Sequence, residues 1–208
     1  MVGWHNNKTT DSPMSLQARL IKAVTRRTIK RSGLNEQQLV RHLRKVFNDT
    51  PVLTLLPRGV ILSRVEQDGF TGDRISVKQP SMTVLYLHGG AYIGGITKTY
   101  HNLAGRLAKK LQADVYLPVY PFAPEHPYPA AVNRVMEAYE YLLSLGKHPQ
   151  DIVIAGDSAG GGLTLATLLH IRDKGLEQPR CAVTFSPASN AFPDDTILDA
   201  LDPSDAML

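Results

Sequence analysis

The stretch Ile152-Val153-Ile154-Ala155-Gly156-Asp157-Ser158-Ala159-Gly160-Gly161-Gly162 constrains this chain more than any other. An apolar run leads straight into Gly-x-Ser-x-Gly, and small residues follow: strand, sharp turn, helix. A serine on such a turn is forced into strained backbone geometry, so glycines have to flank it. Its hydroxyl then projects at the top of a sheet, above a helix N-terminus that favours developing negative charge. Ser158 is therefore the candidate nucleophile, and about fifty residues follow it.

The rest of the sequence supplies a sheet to carry that turn. Val60-Ile61-Leu62 and Ile75-Ser76-Val77 read as early strands, separated by the turn signal Asp68-Gly69-Phe70-Thr71-Gly72. Thr83-Val84-Leu85-Tyr86-Leu87 is a near-continuous apolar run, the pattern of a strand covered on both faces. Helical spacing follows over 101–111, strand character over 113–117, and a long helix over 130–145. Ile152 to Ala155, a helix after Ser158 and a strand at Cys181 to Phe185 complete the alternation. Strands alternating with helices predict a mostly parallel sheet with helices on both faces. Ahead of it, Leu16, Leu20, Ile21 and Val24 mark one amphipathic helix. Asn35 with Gln38 forms a capping box for a second, continued by Leu39, Leu43 and Phe47. We expect two regions: residues 1–50 as an N-terminal helical lid region, and residues 51–208 as the core around the sheet.

Composition narrows the class. With 208 residues and 43% hydrophobic content the chain can bury a sizeable single core. The net charge of +4 is weighted early, through Arg19, Lys22, Arg26, Arg27, Lys30, Arg31, Arg41, Arg44 and Lys45. A basic helical segment of this kind can meet an anionic membrane surface. A solvated helix face is the favoured reading, and nucleic acid is not expected, since no nucleic-acid motif or stacking aromatics accompany it. The lone Cys181 allows no internal disulfide and suits a reducing compartment. Within Cys181-Ala182-Val183-Thr184-Phe185 it reads as a small core residue of a buried strand. The polar residues from Met1 to Pro13 carry no secretory signal, and no apolar run approaches the roughly 20 residues of a membrane span. A cytoplasmic protein without metal or other cofactor is expected; the oligomeric state is not legible.

A second motif raises the weight of the first. Leu87-His88-Gly89-Gly90-Ala91-Tyr92 directly follows an apolar strand. Acyl transfer needs backbone N–H groups aimed at an oxyanion, and small residues let the backbone approach a substrate closely. Between the two lies Tyr120-Pro121-Phe122-Ala123-Pro124-Glu125-His126-Pro127-Tyr128-Pro129. In this order the three segments resemble the hormone-sensitive-lipase-like branch of the α/β-hydrolases, over roughly 60–208. That family shows a His-Gly-Gly-Gly-type loop, a Tyr-Arg-Leu-Ala-Pro-Glu-His-Pro-like segment and Gly-Asp-Ser-Ala-Gly-Gly. The resemblance implies an α/β-hydrolase fold and a serine carboxylesterase acting on small-molecule esters of short or medium acyl chain. It implies Ser158 as nucleophile, with Gly89, Gly90, Ala91 and Ala159 as the oxyanion loop. Which two of the first three amides point inward is open at this stage. Ala91 stands where the family has a third glycine and keeps its N–H; Pro121-Phe122 stands where it has Arg-Leu. Asp157, adjacent to Ser158 on a sharp turn, is assigned a structural role at the helix start, and Glu125 and His126 a structural segment.

What the chemistry still requires is a proton acceptor. A serine hydroxyl is a poor nucleophile until a carboxylate-oriented histidine takes its proton, and in this family the order is Ser, Asp/Glu, His. The one histidine after Ser158 is His170, some 18 Å along the following helix at about 1.5 Å per residue. Asp194, Asp195, Asp199, Asp202 and Asp205 follow only one further strand, too early for the family's acid. The expectation is a partial hydrolase core whose last strands, triad acid and base are absent, with impaired turnover. The alternative is a non-catalytic ester-binding or regulatory module. The strand at Cys181 would then be an exposed edge.

Overall fold

The computed structural model describes Ser15, residues 33–48, Leu53 and residues 55–189. The expected helix over 15–28, Ser15 apart, and the late aspartates Asp194, Asp195, Asp199, Asp202 and Asp205 lie outside the described residues. The first helix seen, α1 (Glu36–Asn48), starts on the capping box read from sequence. The Asn35 N–H donates to Gln38 Oε1 at 3.1 Å, and the Gln38 N–H returns to Asn35 Oδ1 at 2.9 Å.

Strands β1 (Ile61–Gln67) and β2 (Phe70–Ser76) form an antiparallel hairpin. Its loop is only Asp68-Gly69, with Gly69 at φ +80°, shorter than the turn expected over 68–72. Asp-Gly closes a two-residue hairpin, because glycine tolerates the positive φ that matches strand twist. Phe70, Thr71 and Gly72, read as turn, therefore belong to β2.

The remaining strands β3 (Met82–Leu87), β4 (Ala113–Pro118), β5 (Ile152–Asp157) and β6 (Cys181–Phe185) run parallel, giving a six-stranded order β1-β2-β4-β3-β5-β6. Helix α2 (Lys98–Leu111) packs on one face; α3 (Ala130–Ser144) and α4 (Ala159–Asp173) pack on the other. Alternation along each strand divides the core accordingly. Leu85, Leu87, Ile152 and Ile154 join Val135, Leu142 and Leu163 in one cluster. Val84, Tyr86, Val153 and Ala155 join Ala104 and Ala108 of α2 in the other. A strand buried on both sides needs the unbroken apolar run seen in β3.

The face of β6 corrects one expectation. Cys181 is exposed, as are Val183 and Phe185. These three register with Val153, Ala155 and Asp157 of β5, and so point to the α2 side. Among the described residues α2 packs on β2 and β4 rather than β6, so nothing there covers that face.

Candidate active site

The two glycine motifs meet where β3 and β5 end side by side, Leu87 registering with Gly156. Ser158 is exposed, at φ +51° and ψ −120°, between the end of β5 and the first turn of α4. Positive φ at a non-glycine residue is strained and persists only where its surroundings hold it. Here the Ser158 N–H donates to the Phe185 carbonyl at 2.9 Å, and its carbonyl accepts from Gly162 N–H at 3.1 Å and Ala188 N–H at 2.9 Å. The flanking glycines are demanded by contact. A Cβ on Gly160 would sit 2.0 Å from the Leu87 carbonyl oxygen, and one on Gly156 would sit 2.4 Å from that of Gly160.

The loop after β3 carries the other half. Gly90 has φ +126°, and Ala91 and Tyr92 follow at +52° and +59°. The Gly90 carbonyl accepts from both Ile93 and Gly94 N–H at 2.9 Å, closing a tight turn. Of the three loop amides, that of Gly89 is engaged: it donates to Tyr100 Oη at 2.7 Å and to Asp157 Oδ1 at 3.2 Å. The amides of Gly90 and Ala91 have no acceptor among the described residues. The Ala159 N–H lies in the first turn of α4, where amides lack intrahelical partners.

Gly89, Gly90, Ala91 and Ser158 line one cavity of about 720 Å³, with Asp157 at its side. Ala159 itself is buried. The cavity walls are apolar: Leu103 and Leu107 from α2, Phe185 from β6, and Val46 and Phe47 from α1. Helix α1 is held there by Arg44. Its guanidinium donates to the Ile93 and Ala123 carbonyls at 2.9 and 2.8 Å and makes a two-pronged pair with Glu125. Glu125, read as structural, serves as this anchor, and Arg44 holds its carboxyl down to about 2. Arg44 was not singled out for a role from sequence beyond the basic segment.

Asp157, assigned from its position to the helix start, instead turns its carboxylate to β3, α2 and the glycine loop. Its carboxylate accepts from Tyr86 Oη at 3.1 Å and Tyr100 Oη at 2.9 Å as well as from Gly89 N–H. Burial and the Asp157 charge push both phenols far above their usual pKa, so both stay protonated.

His88 is fully buried, stacked on Tyr120 with ring centroids 4.3 Å apart. Its Nδ1 sits 2.7 Å from the Gly89 carbonyl, and Tyr120 Oη donates to the His88 carbonyl at 2.6 Å. Burial lowers its pKa to about 4, keeping the ring neutral. His101 pairs with Asp73 at 2.8 Å, and His170 Nδ1 lies 2.9 Å from the Ala166 carbonyl on the third turn of α4. Among the described residues lining the cavity there is no histidine, and the carboxylate is Asp157 alone. Among the described residues no cluster is arranged to hold a metal ion, and no helix is long and apolar enough to cross a membrane.

A mostly parallel α/β sheet with a strained serine at the tip of β5 and a glycine loop beside it defines an α/β hydrolase. A family described as the alpha/beta hydrolase fold matches residues 84–206, more than half of the chain. The chain belongs to that family. An acetyl-hydrolase of Streptomyces hygroscopicus is 42% identical over 110 residues, 53% of this chain and 37% of the relative. The crystal structure of EstE5-PMSF aligns with TM-score 0.75 at 32% identity, covering 93% of this chain and 67% of that one. The crystal structure of an esterase from the bacterial hormone-sensitive lipase family aligns with TM-score 0.70 at 28% identity, covering 85% and 59%. The chain spans less than half the length of the curated relatives it matches.

Proposed function

We propose that this chain carries the nucleophile and oxyanion-binding half of a serine carboxylesterase. Ser158 Oγ attacks the carbonyl carbon of a short or medium acyl ester. The carbonyl oxygen then becomes an oxyanion, received by the N–H groups of Gly90, Ala91 and Ala159. Collapse of that adduct breaks the bond to the leaving oxygen, which departs as the alcohol after the Ser158 proton has passed through solvent. Water then hydrolyses the acyl-enzyme to the carboxylic acid and free Ser158. The single observation that carries this reading is the pairing of a strained, exposed Ser158 with two amides unpartnered among the described residues in one apolar-walled cavity. Helix α1 acts as part of a lid through Val46 and Phe47.

With no histidine among the described residues at the cavity, turnover by these 208 residues is lower by orders of magnitude than that of a complete triad. Hydrolysis of p-nitrophenyl butyrate, the ester with which an EstE5 crystal was soaked, tests this against Ser158→Ala. Robust Ser158-dependent turnover would refute the impairment. Its absence, together with thermal stabilisation by ester or acid analogues, supports the second reading, an ester-binding module without turnover.

A further inference from the structure

We propose that Tyr100 is a positioning residue which, together with Asp157, occupies the Gly89 amide and so leaves the Gly90 and Ala91 amides as the ones that receive an oxyanion. This rests on the reading of the Ser158 site above and adds a residue that no catalytic motif contains.

The directions of the hydrogen bonds settle what Tyr100 does. A carboxylate only accepts, so Tyr100 Oη must donate to Asp157 Oδ2, at 2.9 Å. That leaves the phenol oxygen's lone pairs as the acceptor for Gly89 N–H, at 2.7 Å. Gly89 N–H, Tyr100 O–H and Asp157 form a one-way chain of donors whose members polarise one another. Tyr86 Oη loads the remaining carboxylate oxygen, at 3.1 Å. A Cβ on Gly89 would lie 2.6 Å from Asp157 Oδ2 and 3.0 Å from Tyr100 Oη, so the clamp itself requires glycine there.

The clamp decides which amides are free. Gly89 N–H is spent on Tyr100 Oη and Asp157 Oδ1. With Gly89 turned toward Tyr100, the left-handed turn at Gly90 and Ala91 leaves the next two amides without acceptors among the described residues. Asp157 also immediately precedes Ser158, so the same carboxylate fixes the loop relative to the nucleophile. Of the described residues outside the two glycine motifs, Tyr100 is the one whose side chain bonds an amide of Gly89, Gly90 or Ala91.

The test is Tyr100→Phe in the whole chain, read by amide NMR. First, hydrogen exchange at Gly89 should accelerate at least tenfold in the variant, while core amides such as Val84 and Ile154 hold within about twofold. Equal Gly89 exchange in both proteins overturns the proposal. Second, titration with butyrate should shift Gly90, Ala91 and Ala159 but not Gly89, with affinity falling about five- to tenfold in the variant. Unchanged butyrate affinity with accelerated Gly89 exchange also overturns it, leaving Tyr100 as structural support alone. If butyrate moves none of these amides in the parent chain, the reading of Ser158 as an esterase site fails; the Gly89 exchange result still decides the clamp. Should Tyr100→Phe not fold, Tyr86→Phe, which removes one donor to Asp157, should accelerate Gly89 exchange about threefold, and no change there refutes the clamp.

Discussion

Arg44 Nη1 donates to Glu125 Oε1 at 2.9 Å, joining the helix over the cavity to the loop that follows β4. The same guanidinium satisfies the carbonyls of Ile93 and Ala123. Replacing Arg44 by Gln thus orphans more than an ion pair. We expect α1 amides to exchange several-fold faster and trypsin to cut more readily at Arg41 and Lys45, with the sheet unaffected. Unchanged exchange in α1 would show that Phe47 and its neighbours suffice. Because Glu125 is solvent-exposed, raised salt should weaken the anchor in the parent chain too.

The same pair has a pH signature. The Glu125 carboxyl is held to about 2, below its ordinary 4.5, chiefly by the hydrogen bond from Arg44. A depressed carboxylate contributes above its unfolded pKa and loses that contribution as pH falls through the folded value. Protection of α1 should stay level between pH 7 and 5 and decline below about pH 4, a decline that Glu125→Gln abolishes.

His88 titrates in the opposite chemical sense but shifts stability in the same direction. Its folded pKa of about 4 lies below the unfolded 6.5, because burial disfavours the imidazolium. Between those values the unfolded chain binds the extra proton, so stability rises with pH across the window and is complete above about 6.5. The full swing is of order 3 kcal/mol. Urea midpoints at pH 4.5 and 7 should differ less in His88→Phe than in the parent; an equal difference would exclude His88 as the source.

Gly160→Ala should be severe. The added methyl group would stand 2.0 Å from the Leu87 carbonyl oxygen and 2.5 Å from that of His88, both backbone. A cost of about 3 kcal/mol or more is expected, as a lowered melting temperature or insoluble protein. Gly146→Ala meets no atom within 4 Å and carries only the penalty of φ +75°, about 1 kcal/mol. A reversed order of the two melts would contradict the packing of the turn.

Cys181 provides a direct check of the exposed sheet face. A thiol-reactive dye should label it in the native protein, without denaturant, because its side of β6 is uncovered. Labelling that required unfolding would mean that this face is covered in solution. Val183→Thr should leave stability nearly unchanged while reducing light scattering at high concentration, since Val183 is 41% exposed on an edge strand.

Much of the fold was legible because its signals are local. The apolar run of β3, the Asn35–Gln38 box and the glycines around Ser158 each specify geometry within a few residues. What escaped the sequence was set by distant partners. Helix α2 begins at Lys98 rather than His101, because the Thr97 carbonyl accepts from the N–H groups of both Tyr100 and His101. No apolar period marks Lys98-Thr99-Tyr100, so the residue nearest the Gly89 amide lay hidden in an apparent loop. Tyr86 read as one more apolar member of a buried strand, although its hydroxyl reaches Asp157. Cys181 misled for the complementary reason: a run of strand-forming residues looks the same whether or not a helix covers it.

The backbone of Ser158 is fastened on one side to Phe185 and Ala188, residues that come well after it in the chain. A nascent polypeptide can therefore complete β5 and the start of α4 and still have Ser158 unmounted. The site comes into being only when β6 zips onto β5. A version of this chain ending at Arg180 would keep the whole serine motif and lose two of the three hydrogen bonds that hold it in shape.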